Sequence, residues 1–170
     1  MLKGKKIVLG VTGGIAVYKA VDLVSRLRKQ GCEVRVVMTE HAQQFVTPLT
    51  FKEISGNAVA TSMWNSNQEF NVEHIALANW ADAFLVAPAT ANILAKMTYG
   101  IADDLLSTTL LAAQAPIVVC PAMNTGMYLN AATQENIAKL VTTESGDMTL
   151  FEDLCTSMTT PELYFNIIEP

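Results

Sequence analysis

Short apolar, β-branched runs alternate along this chain with segments whose apolar positions recur every three to four residues. Lys6–Val11 (KIVLGV) has the character of a buried strand. Gly13 and Gly14 follow it, and a helical pattern then runs from Ile15 to Gln30, with Ala16, Ala20, Leu23, Val24 and Leu27 on one face. Lys19, Asp22, Arg26 and Lys29 fall elsewhere on that helix, and Gly31 supplies its stop signal. Glu33–Met38 (EVRVVM) reads as a second strand, Ala83–Ala87 (AFLVA) and Pro116–Cys120 (PIVVC) as two more, the last two closing on Pro88 and Pro121. Helical stretches are expected over 92–99 and 103–113. The alternation predicts an α/β fold: a single-domain, doubly wound (Rossmann/flavodoxin-like) parallel sheet with helices on both faces and sites outside the carboxyl ends of the strands.

Composition narrows the class. With 170 residues, 51% hydrophobic and 16% charged, the chain suits one compact domain over 1–170. A net charge of −5 without an extended Lys/Arg cluster argues against a nucleic-acid partner. Cys32, Cys120 and Cys155 are widely spaced and odd in number, which points to neither a disulfide framework nor a zinc site and fits a reducing, cytoplasmic setting. The basic start and first apolar run, broken by glycines, read as a first strand rather than a leader, and no run approaches the roughly 20 apolar residues of a membrane span.

Four segments carry candidate chemistry. In GVTGGIAVYK a glycine turn leads from strand to helix, where backbone N–H groups and the helix dipole favour a phosphate; a tight turn without a ligand would look the same. The spacing of Gly10, Gly13 and Gly14 is not that of a dinucleotide or Walker loop. In VEHIALANWAD, His74 stands beside Ile75, Leu77 and Trp80, either to move a proton or hold a carboxylate, or as a packing residue. His41, among polar residues, reads as surface. In APATANILAKMTYGIADDLLS, Thr90 and Asn92 at a helix start suit a cap or a polar ligand, and Asp103 with Asp104 suits helix capping, so no metal is assigned. In CPAMNTGMY, Asn124 offers donor and acceptor between the adaptable Met123 and Met127, as a ligand site or as a helix cap with core methionines.

Taken together, VTGGIAVYK, HIALANWAD, PATAN and PAMNTGMY resemble the flavin-containing cysteine decarboxylase family over about Lys5 to Leu140. The family patterns P-A-S-A-N-T and P-x-M-N-x-x-M-W are met with Thr90 for serine, Ile93 for threonine and Tyr128 for tryptophan. Within the family, the chain is most similar to the members that convert 4′-phosphopantothenoylcysteine to 4′-phosphopantetheine in coenzyme A synthesis. The resemblance implies bound FMN, held by Gly13, Gly14, Ile15, Thr39, Pro88, Thr90, Ala91 and Asn92, in a homo-oligomer built from trimers with the flavin at a subunit boundary. It implies His74 as the essential histidine and Asn124, with Met123 and Met127, as the substrate contacts. The implied chemistry is oxidation of the cysteinyl side chain to a thioaldehyde, loss of CO2 into that electron sink, and re-reduction of the enethiol.

The tail, 141–170, departs from the family. A flap of the form E-S-G-x-L-A-C-G-x-x-G-x-G-R-M is expected, whereas ESGDMTLFEDLCTSM places Leu150 at the cysteine position and lacks the flap's later glycines and arginine. Cys155 is the nearby candidate for the missing proton donor. Two other functions fit a family member with such a tail: oxidative decarboxylation of a peptidyl C-terminal cysteine, and FMN binding in a non-enzymatic regulatory protein.

Overall fold

A computed structural model describes residues 2–64 and 73–140 and the backbone of 166–168. Leu150 and Cys155 lie outside the described residues.

Five parallel strands form the sheet: β1 (Lys6–Val11), β2 (Glu33–Met38), β3 (Val59–Ala60), β4 (Ala83–Ala89) and β5 (Ile117–Pro121). A sixth, β6 (Asn166–Ile168), adds antiparallel to β5, giving the order β3-β2-β1-β4-β5-β6. Helices α1 (Val17–Lys29), α2 (Pro48–Ser55), α3 (Glu73–Trp80), α4 (Ala91–Tyr99) and α5 (Leu105–Leu111) connect the parallel strands, and α6 (Thr125–Tyr128) and α7 (Ala131–Leu140) follow β5. Strand order reverses between β1 and β4, the position where an open α/β sheet leaves a crevice at its carboxyl edge.

Alternation along each strand builds a core on both faces of the sheet. Ile7, Leu9 and Val11 join Leu23, Val24 and Leu27 of α1 and Phe51 of α2 on one side. Val8, Phe84 and Val86 join Leu94 of α4 and Leu106 of α5 on the other. Gly10 allows that second layer to close, because a Cβ there would stand 2.6 Å from Leu106 Cδ1.

Differences from the sequence reading have local causes. The α1 helix begins at Val17, which is buried with Ala20, Leu23, Val24 and Leu27, while Ala16 becomes its N-cap. Strand β4 does not stop at Pro88 but runs through it to Ala89 with a register shift against β5, and the Ala87–Pro88 peptide is cis. The α3 helix presents no single apolar face, because Ile75 is exposed and Trp80 stacks under the Arg35 guanidinium at 4.3 Å.

Candidate functional site

The carboxyl ends of β1, β4 and β5 meet at one cleft of about 1040 Å³. Its first wall is the turn Gly13–Ala16 and Lys19 of α1, its second is Thr90 and Ala91 at the start of α4, and its third is the segment from Pro121 to Leu129.

The first wall is open to an anion for a reason built into α1. Ala16, the N-cap, gives no side-chain cap, and the first turn carries no acidic residue, whereas Arg26, Arg28 and Lys29 complement the dipole at the far end. Gly13 is glycine because of packing: an added Cβ would stand 2.9 Å from the His41 carbonyl carbon and 3.2 Å from Ala42 N. Gly14 has room, its nearest neighbours to such a Cβ being Thr90 Cγ2 at 3.7 Å and Ala122 O at 4.0 Å, so a side chain there would occupy the cleft itself. On the neighbouring strand end, Thr39 Oγ1 accepts from Ala42 N at 3.3 Å and starts the turn that carries exposed His41.

The second wall is pinned to the first by Thr12, 2% exposed, whose Oγ1 donates to Pro88 O at 2.6 Å and accepts from Thr90 N at 3.1 Å. Thr90 in turn caps α4 by accepting from Ile93 N at 3.4 Å. Pro88 is buried behind this wall, and Asn92 is exposed just past it.

On the third wall Asn124 caps the single turn α6, its Oδ1 accepting from Gly126 N at 2.8 Å. That bond commits one oxygen lone pair and leaves the other, with the two Nδ2 donors, for a ligand. Met123 packs partly into the core while Met127 is half-exposed at the cleft mouth. The capping reading of this segment and its cleft-lining reading are therefore both realised by the same residue.

Among the described residues the cleft thus gathers Gly13, Gly14, Ile15, Thr90, Ala91, Met123, Asn124 and Met127 of the residues singled out from sequence. It does not gather Thr39, His74, Pro88 or Asn92. His74 is half-buried at the start of α3, next to Glu73, whose carboxyl is pushed up by burial. Three cleft features escaped the sequence reading. Thr12 acts across 76 residues, Lys19 is marked in sequence only as lying off the apolar face of α1, and Tyr128 only as a motif variant. The expected helix capping falls to Asp104 alone, which forms a reciprocal capping box with Ser107, and both Asp103 and Asp104 pair with Lys96. No group of His, Cys, Asp and Glu among the described residues could hold a metal ion.

The sequence profile of the flavoprotein family matches residues 1–162. The chain belongs to the flavoprotein family. Relatives include the coenzyme A biosynthesis bifunctional protein CoaBC of Vibrio vulnificus (strain YJ016), 54% identical over 139 residues that make up 82% of this chain and 35% of that protein. The chain therefore spans about a third of the length of the curated relatives it matches. Among solved structures, the FMN-dependent cysteine decarboxylase SpaF superposes with a TM-score of 0.79 at 31% identity, covering 94% of this chain and 100% of that one. A cysteine-to-serine mutant of PPC decarboxylase complexed with pantothenoylaminoethenethiol superposes with a TM-score of 0.71 at 30% identity, covering 81% and 78%. The doubly wound architecture of these flavoproteins is that of the present sheet. No helix among the described residues is long and apolar enough to cross a membrane.

Proposed function

We propose that this flavoprotein binds FMN and decarboxylates 4′-phosphopantothenoylcysteine to 4′-phosphopantetheine in coenzyme A synthesis. The observation that carries the reading is the cleft at the β1/β4 switch point, whose one wall suits a phosphate and whose opposite wall presents an amide between two methionines. The residues fit the cofactor. A volume of about 1040 Å³ accommodates a flavin mononucleotide together with a small substrate. The uncapped start of α1 supplies N–H donors and a favourable dipole for its phosphate, and Gly14 leaves the floor clear. Gly13, Gly14 and Ile15 would hold the phosphate end, and Thr90 and Ala91 would line the ring, whereas Thr39, Pro88 and Asn92 lie outside the cleft of this chain.

When bound, FMN supplies the two-electron acceptor that makes the cysteinyl side chain a thioaldehyde, the electron sink into which the adjacent carboxylate is lost. The chain's own contributions are positioning and proton movement. Asn124 would donate from Nδ2 to the substrate carboxylate, its orientation fixed by the bond from Gly126 N. Met123 and Met127 would keep the reacting carbon in an apolar environment, which favours loss of charge as CO2. His74 would move the thiol proton, from a neighbouring subunit of a trimer-based homo-oligomer. The chain would act as one domain in a cytoplasmic setting.

A second reading, oxidative decarboxylation of a peptidyl C-terminal cysteine, draws on Leu150 at the position where the family flap carries its cysteine. Competition between phosphopantothenoylcysteine and a cysteine-terminated peptide for CO2 release separates the two. Preference for the peptide would overturn the first reading.

A further inference from the structure

Asn124, Met127 and Tyr128 share one wall of the cleft because α6 is a single helical turn. Tyr128 N donates to Asn124 O at 3.0 Å, closing the turn between two residues that both line the cleft. Tyr128 is half-buried there. The phenol therefore stands on the same side of the cleft as the amide to which the reading above assigns the substrate carboxylate. Loss of that carboxylate leaves a carbon that must acquire a proton before the product can be a saturated thiol.

Among the described cleft residues, two side chains carry a proton donor of the kind used in general acid catalysis, Lys19 and Tyr128. Lys19 lies in the first turns of α1, on the wall with the uncapped helix start, where a cation is suited to an anionic group. The hydroxyls of Thr90 and Thr125 are aliphatic and far weaker acids, and Thr90 is engaged as a cap. The carboxylate wall thus holds one phenol and no other comparable acid among the described residues.

We propose that Tyr128 is the catalytic acid of the second half-reaction, an assignment that rests on the decarboxylase reading and refines it. The phenol O–H bond breaks and a C–H bond forms at the carbon that has lost CO2. The enethiol's C=C electron pair makes that bond, the S–H bonding pair becomes the second bond of C=S, and the sulfur proton passes to water. The hydride removed in the first half-reaction adds to the C=S carbon, the resulting thiolate takes a proton from water to give the thiol, and the phenolate regains its proton from water. No external oxidant or reductant enters, because the two electrons taken from the substrate return to it.

The test compares wild-type, Tyr128→Phe and Cys155→Ser holoenzymes under anaerobic conditions with phosphopantothenoylcysteine. CO2, product mass and flavin absorbance are followed together, and FMN affinity of each apoprotein is measured by fluorescence. Tyr128→Phe is expected to bind FMN as wild type does and to release CO2. It should then accumulate the enethiol, two mass units lighter than the thiol, with the flavin left reduced, the second half-reaction slowed by about 10²–10⁴-fold. Normal thiol formation by Tyr128→Phe, or arrest in Cys155→Ser instead, would overturn the assignment, as would a wild type that itself stops at the enethiol. A wild type that binds FMN and releases no CO2 fails the decarboxylase reading, a separate outcome.

Discussion

Thr12 Oγ1 donates to the Pro88 carbonyl at 2.6 Å, from the end of β1 to the end of β4. The same oxygen accepts from Thr90 N, so one hydroxyl sets the separation of the glycine turn and the α4 start across the cleft. Replacing it with the isosteric Val strands a buried carbonyl and a backbone N–H. Thr12→Val is expected to cost about 1–3 kcal/mol, and Thr12→Ser much less, in thermal or denaturant unfolding.

Gly13 and Gly14 separate a packing requirement from a ligand requirement. Gly13→Ala drives a Cβ against the His41–Ala42 backbone and is expected to destabilise the fold by about 1–3 kcal/mol. Gly14→Ala meets nothing closer than 3.7 Å, so stability should hold. Its methyl would enter the cleft, and FMN affinity should fall roughly tenfold, equivalent to about 1.4 kcal/mol. Unfolding curves and fluorescence titration of the two apoproteins check the pair.

Much of this arrangement was legible in the sequence, and what was not has a physical reason. Strands β1, β4 and β5 announce themselves as apolar runs because both faces of the sheet are covered, and β2 shows alternation at its start, where Glu33 is exposed and Arg35 half-buried, before its apolar end. Strand β3, Val59–Ala60, is too short to show a period. Helix α2 buries only Phe51 and Ser55, so its apolar pattern is faint even though Pro48 at its start and left-handed Gly56 at its end are ordinary boundary signals. Thr12 gave no local sign, since its partners lie 76 and 78 residues away. Lys19 lies off the apolar face of α1 as expected, but face assignment on a helix says nothing of a cleft at its end. His74 and Asn124 share a motif set in sequence, yet the cleft of one chain contains only Asn124.

That separation predicts intersubunit complementation. His74→Asn is expected to retain FMN but lose CO2 release, and Asn124→Ala to lose substrate turnover. If each site takes His74 from one subunit and Asn124 from another, co-refolded mixtures of the two inactive variants should regain about a quarter of wild-type activity on random assembly. No recovery from mixed oligomers would place both groups in one chain's site.

The Lys96–Asp104 contact gives stability a defined acid limb. Burial of Asp104 opposes its charge, but hydrogen bonds from Lys96 and from the backbone and hydroxyl of Ser107 outweigh that, and the carboxyl is held below its usual range. A carboxyl depressed in the folded state contributes stability above its unfolded pKa, about 3.9, and loses that contribution as pH falls through the folded value. Wild type should therefore lose stability below about pH 4 more steeply than Asp104→Asn. The substitution itself should cost about 1 kcal/mol or less at neutral pH, because Asn is also a good N-cap. Denaturant midpoints measured across pH 2.5–7 for both proteins would expose equal slopes if the pairing were immaterial.

The central claim, an FMN cleft that decarboxylates a cysteinyl substrate, is tested most directly by the visible absorption spectrum of the purified protein, recorded anaerobically before and after addition of phosphopantothenoylcysteine. The account predicts oxidised flavin bands that bleach on addition, with CO2 released, and then recover without oxygen as the product thiol forms. Absence of flavin bands after reconstitution with FMN, or bands that the substrate leaves unchanged, would contradict it.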